Sequence, residues 1–319
     1  MFFEIREARL MRRYHRVTYL IWPTCLLAIA LGAQDTPRSA SASPTTDRTC
    51  SLPGLSAMEK KTFSDAQLLA AYNAQAGLVR SLRAYAMVRG EGGKEYGRPA
   101  KQPRGIAATI QFQSPALVRM TGIIPFSESR GFDMASNGRD FRLLVPVDRE
   151  MRFLVGSVDA PTDSSNPREN LRPQPLIDAL RWPSGTPMGT TPAPPADRAV
   201  RILSIQLPTL GGVPRTGQVE FDLRSGTVSS LSIYGPGGRL ISEVRYMDWE
   251  EVANQSTGAA AACYPRRIAL VQPKEDIQLD MRILQLDLNP AIPAARFLLN
   301  PPRGVPVVKL SSSGAKGAP

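Results

Sequence analysis

Between Ser114 and Gly156 apolar and polar residues alternate in four short runs: Val118/Met120, Phe132/Met134, Phe141/Leu143/Val145 and Phe153/Val155. Turn clusters separate them, Ser136-Asn137-Gly138 and Pro146-Val147-Asp148. A period of two bounded by Asn-Gly and Pro-Asp signals predicts an antiparallel meander with one apolar face. The connection Gly122-Ile123-Ile124-Pro125-Phe126 is apolar where loops are ordinarily polar, and it is expected at the mouth of that sheet.

The same grammar runs along most of the chain. Ser64-Asp65 caps a helix whose Leu68, Leu69, Tyr72, Ala76 and Val79 form one stripe at helical spacing. Leu82 to Gly90 and Ile106 to Gln113 alternate before the meander. A short helix follows it at Pro175 to Leu180, then a surface excursion from Arg181 to Asp197 with five prolines. Alternation resumes at Ala199 to Leu207, Gly217 to Leu223, Val228 to Tyr234 and Leu240 to Trp249. Gly235-Pro236-Gly237-Gly238 lies between two such strands with no helix after it, so it reads as a hairpin turn rather than a phosphate loop. Tyr264 to Val271 and Ile277 to Leu288 are the last long strands. Ile277, Leu279, Met281 and Ile283 share one face, then Leu284, Leu286 and Leu288 take the other parity; a one-residue slip of that kind predicts a β-bulge. Phe297 and Leu299 read as anchors of the closing segment.

These elements predict a mainly β fold with helices, α+β: an unclosed antiparallel barrel of about ten strands with a helical lid. Two helices cannot cover so wide an apolar face. The concavity is either filled by large side chains or left as a ligand cavity.

Flanking composition sets the boundaries. Residues 1–33 carry five arginines and then the apolar run Val17 to Ala33, the order of a secretory signal peptide or, uncleaved, of a membrane anchor. Cys25 lies inside the apolar run, which does not read as a lipid-attachment site. Residues 34–62, rich in Ser, Thr, Pro and Ala, read as a flexible tether, 63–310 as a single domain and 311–319 as a disordered tail. Export would place Cys50 and Cys263 in an oxidising compartment, where they are either paired or two separate thiols. An exported chain, in the periplasm or attached to a membrane of the envelope, is the expected location.

Chemistry is constrained by what is missing. The one histidine, His15, sits in the leader. The remainder therefore lacks Ser-His-Asp and Cys-His catalysis and the usual Cys/His zinc sites. No metal or cofactor is expected. Net charge is +11, and +8 once residues 1–33 are removed (34 basic minus 26 acidic). The basic residues are scattered singly, as at Arg119, Arg139, Arg152, Arg201, Arg245 and Arg282, without the clustering a nucleic-acid groove requires. A solvated basic surface, or attraction to anionic lipid, accounts for them.

The run QSPALVRM, then FDMASNGRDFRLLVP, then the helix Pro175-Leu176-Ile177-Asp178-Ala179-Leu180 resembles the periplasmic lipoprotein carrier LolA and its outer-membrane receptor LolB. Leu288-Asn289-Pro290, Ala295-Arg296-Phe297 and Asn300-Pro301-Pro302-Arg303-Gly304-Val305 resemble the closing strands of that family. The chain also looks like uncharacterised bacterial envelope proteins carrying NAQAGLVRSL-, DMASNGRDF- and LRPQPLIDAL-like runs. The resemblance implies a half-barrel enclosing acyl chains. Ile110, Phe112, Val118, Met120, Phe132, Met134, Phe141, Leu143, Phe221, Ile233, Leu279 and Met281 would line its cavity. It also implies a membrane- or partner-facing loop at Ile123, Ile124, Pro125 and Phe126, for which folding back as a core plug is the competing reading. One departure is Ser114 before Pro115, where the carrier has a basic residue that gates its lid.

Three functions follow. The first is a non-catalytic envelope protein that binds lipid or lipoprotein acyl chains, in lipoprotein sorting. The second is an envelope sensor or assembly factor that uses the same fold to bind a protein partner. The third is a carboxylate hydrolase drawing on Asp133, Asp140, Asp148, Glu220 or Asp222; nothing in the sequence pairs these groups, and no enzymatic activity is expected.

Overall fold

The structure, a computed structural model, describes residues 50–55, 63–92, 105–123, 130–147, 150–158, 172–189, 199–255 and 261–310. The leader, the rest of the tether, Ile124, Pro125 and Phe126, Asp148, residues 190–197 of the Pro-rich excursion and the tail fall outside the described residues.

Helix α1 (Asp65–Leu78) opens the ordered chain. Ser64 caps it as expected: its Oγ accepts from the Gln67 N–H, while the Gln67 side chain reaches back to the Ser64 N–H. Six strands follow in a meander: β1 (Ser81–Gly92), β2 (Ile106–Gln113), β3 (Leu117–Ile123), β4 (Arg130–Asn137), β5 (Asp140–Val147) and β6 (Glu150–Ser157). Helix α2 (Pro173–Leu180) and the two-residue β7 (Thr186–Pro187) lead to a second meander. Its strands are β8 (Val200–Leu210), β9 (Val213–Asp222), β10 (Thr227–Tyr234), β11 (Leu240–Val252), β12 (Ala262–Gln272) and β13 (Ile277–Leu288). The chain closes with β14 (Val307–Lys309).

All of them form one sheet in the order β14-β6-β5-β4-β3-β2-β1-β13-β12-β11-β10-β9-β8-β7. The two meanders are thus joined along β1 and β13, and every pairing is antiparallel except β14 with β6. The outermost strands do not pair with each other, so the sheet is unclosed. Very short strands cap both edges, a common way of blunting an edge against further pairing.

The strand count is corrected from about ten to fourteen. The alternating segments themselves number twelve. The other two, β7 and β14, are two and three residues long in Pro-rich stretches, too short to show a period. The predicted bulge lies in β13. Tyr85 pairs with Gln285 and Ala86 with Ile283, so Leu284 has no partner and is half exposed. Before it Met281 and Ile283 point into the core; after it Leu288 does.

The inward residues of the strands share one concave face, and the helices lie on it. Leu68, Tyr72 and Ala76 of α1 are buried there, and so is nearly every residue of α2. An aromatic cluster locks the two helices to the second meander. Trp182, just after α2, stacks on Tyr72 at 5.5 Å between centroids and packs against Tyr246 and Trp249 at 5.3 and 5.7 Å. The Tyr72 hydroxyl donates to the Pro183 carbonyl and the Tyr264 hydroxyl to that of Leu180, at 2.9 and 2.7 Å. Burial raises the pKa of both phenols, which keeps them protonated donors.

Two further ties hold the frame. Cys50 and Cys263 are paired, and Leu52 and Leu55, within the stretch read as a tether, are buried in the core. On the outer face of β3–β6 the segment after β13 packs Leu299 against Ala135, Leu144 and Phe153. There Arg119 grips Asp133 through Nε and Nη2 at 3.0 and 2.8 Å, and its Nη1 donates to the carbonyls of Arg296 and Leu298.

Candidate functional site

An eight-residue helix spans only about 12 Å, whereas eight-residue strands run about 26 Å. Helix α2 therefore leaves part of the concave face uncovered. The uncovered part is at the end of the sheet where β3 turns into β4, β5 into β6 and β12 into β13. A cavity of about 390 Å³ lies there, between α2 and the inward faces of β1–β5, β12 and β13.

Five of the twelve residues expected to line a cavity border this one: Met120, Phe132, Met134, Leu143 and Leu279. Ile110, Phe112, Val118, Phe141, Phe221, Ile233 and Met281 do not; they are buried in the continuous core. Parity placed all twelve on the inward face but could not tell which stretch of each strand the helices cover. The wall also includes Val88, Ile106, Val145 and Leu270, continuations of the same alternating series, and Leu176 of α2. Gly122 opposes Phe132 across the β3–β4 pair, and a Cβ on Gly122 would run into the Phe132 ring. The missing side chain lets that ring lie against β3 rather than in the cavity.

Two polar residues border the chamber, and sequence reasoning missed both: Arg172 and Gln272. Arg172 is the N-cap of α2, is 8% exposed, and holds its guanidinium 5.0 Å from the centroid of the Phe141 ring. A lone arginine before Pro173 carries no signal of this in sequence. The loop residue Ile123 is 45% exposed at the β3–β4 turn, the same end of the sheet.

A second compartment of about 380 Å³ lies on the other side of α2, toward β8, β9 and β11, and Arg172 and Gln272 border it too. Asp178 and Arg215 meet in its wall at 2.7 Å, and both are almost fully buried. Gln174 donates to the other Asp178 oxygen at 2.7 Å. Burial raises the Asp178 pKa above the ordinary carboxylate value, with Arg215 and Gln174 pulling the other way.

Asp148 lies outside the described residues, and the other carboxylates weighed for hydrolysis include three with separate partners of their own. Asp133 is held by Arg119 and Thr121 on the outer face, Glu220 accepts from Ser229, and Asp222 accepts from the Arg224 N–H and the Ser225 hydroxyl of its turn. Among the described residues no group of three His, Cys, Asp or Glu side chains could hold a metal ion, and no helix is long and apolar enough to cross a membrane.

The chain is thus an unclosed antiparallel half-barrel with helices on its concave face and an apolar chamber beside one of them. Solved structures similar to the chain include a LolA superfamily protein from Nitrosomonas europaea, 13% identical, with a TM-score of 0.46 over 72% of this chain and 97% of that one. A putative outer membrane lipoprotein-sorting protein domain from Vibrio parahaemolyticus is 12% identical, with a TM-score of 0.43 over 73% and 94%. A DUF1329 family protein from Desulfovibrio piger is 11% identical, with a TM-score of 0.43 over 72% and 94%. No protein-family model and no curated protein matches the chain by sequence.

Proposed function

We propose that this is a non-catalytic protein of the bacterial cell envelope that holds an acyl chain of a lipid or lipoprotein in the chamber beside α2, in the service of lipoprotein sorting. The observation that carries the reading is the chamber itself. About 390 Å³ of apolar space remains on a concave face the two helices cover incompletely, within the range of ligand pockets, about 300–1,000 Å³. Apart from Arg172 and Gln272, its side-chain walls are Met, Leu, Val, Ile, Phe and Pro, a lining suited to an aliphatic chain. The Cys50–Cys263 disulfide supports an oxidising compartment. On this reading the chamber meets a membrane at the end of the sheet where Ile123 is exposed.

Native mass spectrometry of protein purified without detergent tests this reading. One acyl-bearing adduct per chain, released by organic solvent, is the expected result. A clean apo mass, with a defined envelope protein captured instead from membranes, would favour the partner-binding alternative. Ile123→Ser is expected to slow transfer of a bound fluorescent fatty acid to vesicles several-fold while moving Tm by no more than about 2 °C, because it alters an exposed position.

A further inference from the structure

The second compartment, on the side of α2 toward β8, β9 and β11, gathers polar groups that the fold leaves unsatisfied. Ser242 of β11, Gln272 at the end of β12, Arg215 of β9 and Glu275 on the β12–β13 turn all border it. Each is more than nine-tenths buried, at 1%, 5%, 6% and 8% exposure. The Ser242 Oγ has no hydrogen-bond partner. Arg215 donates from Nε to the Pro208 carbonyl and from Nη1 to Asp178; among the described residues nothing accepts from its Nη2. Gln272 and Glu275 make no side-chain hydrogen bond or ion pair among the described residues. Arg172, Asp178 and Lys274 border the compartment as well, and each has partners of its own, while Arg239 stands exposed at the rim. A lone unpartnered group in a protein interior is ordinarily met by a water. Four of them around a cavity of about 380 Å³, within the range of ligand pockets, are the counterpart of a polar ligand.

The donors and acceptors define that ligand. An ionised Glu275 only accepts and calls for a donor, best a cationic one; the Arg215 Nη2 only donates and calls for an acceptor, best an anionic one. Ser242 and Gln272 serve in either sense. Much of the remaining wall is aliphatic, from Val158, Leu210, Val213, Leu240 and Ile241, and among the described residues no aromatic ring borders the compartment. We infer that the second compartment binds a small zwitterion with an aliphatic side chain, an amino acid of the leucine kind. Its ammonium donates to Glu275, and its carboxylate accepts from the Arg215 Nη2 and the Ser242 hydroxyl. Gln272 bonds to either end, and the aliphatic wall receives the side chain. The site does not require an occupied apolar chamber, so this inference and the acyl-binding reading fail separately.

Titration calorimetry on the full-length protein tests this with three probes of one shape: leucine, 4-methylpentanoate, which lacks the ammonium, and 3-methylbutylamine, which lacks the carboxylate. Leucine is expected to bind one to one, and each analogue roughly tenfold or more weakly, because each leaves a buried charged group unanswered. Glu275→Gln keeps the shape of the side chain. It is expected to weaken leucine roughly tenfold and to change 4-methylpentanoate by less than about twofold, since only leucine has an ammonium to lose its partner. Ser242→Ala is expected to weaken leucine and 4-methylpentanoate alike, several-fold, without lowering Tm, because the hydroxyl gives up no bond within the protein. No saturable heat with leucine overturns the site. Equal affinity for leucine and either analogue, or leucine binding unchanged in Glu275→Gln, overturns the zwitterion.

Discussion

Asn289 shows how much one side chain can organise. It lies just past β13 with a positive φ of 57°, a conformation asparagine tolerates better than most residues. Its Oδ1 accepts from the N–H groups of Arg80 and Ser81, and its Nδ2 donates to the Leu78 carbonyl and to Asn254. The end of α1, the start of β1 and the end of β13 are thereby fastened at one point. Asn289→Gly keeps the backbone but loses these bonds, and is expected to cost roughly 2–3 kcal/mol in urea denaturation. Asn289→Ala adds a left-handed strain of about 1 kcal/mol more. The pair Asp178–Arg215 behaves differently, because burying both charges offsets most of their attraction. Asp178→Leu alone strands a buried guanidinium and is expected to cost about 3–5 kcal/mol, whereas Asp178→Leu/Arg215→Met restores most of it. A double-mutant cycle in urea measures the difference; single losses that simply add in the double variant would show that the two groups are not coupled and contradict this account.

At the scale of elements, alternation carried most of the information. The slip between Ile283 and Leu284 was visible as a change of parity, and the register places the bulge there. Deleting Leu284 leaves Leu286 and Leu288 in phase with Ile283, so that variant is expected to fold with a modest drop in Tm. Deleting Ala269 from β12 instead turns Leu270 outward and is expected to leave no soluble protein; circular dichroism and soluble yield distinguish the two. The Ser64 cap and the anchors Phe297 and Leu299 were legible for similar local reasons. What was not legible depends on distance in space. Nothing local says that Phe112 is covered while Met120 borders a chamber, since both are large apolar residues at inward positions of neighbouring strands. Nor does an isolated Arg172, or Asp178 in the middle of a short apolar helix, announce the strand that completes its surroundings. The β1–β13 pairing that joins the two meanders is likewise a long-range fact, set by which apolar faces can share one concavity.

For the whole molecule, the segment before α1 is tied to strands of the second meander. The disulfide joins Cys50 to Cys263 across 213 residues of chain, and the Leu52 N–H donates to the Gly226 carbonyl beside it. Cys50→Ser/Cys263→Ser is expected to destabilise by roughly 2–5 kcal/mol, lowering Tm by roughly 4–20 °C, while the chamber on the far side of α2 keeps its lining. The central claim is that the half-barrel retains an apolar chamber able to receive an aliphatic tail, and Gly122 offers the most direct way to close it. A valine there cannot share the space the Phe132 ring occupies, and is expected to push that ring toward the cavity. The decisive measurement is a fluorescence titration of wild type and Gly122→Val with cis-parinaric acid, each first shown by circular dichroism to be folded. Saturable one-to-one binding by wild type, weakened roughly tenfold or more in the variant, is the predicted result. No saturable binding by wild type, or equal binding by both proteins, would contradict it.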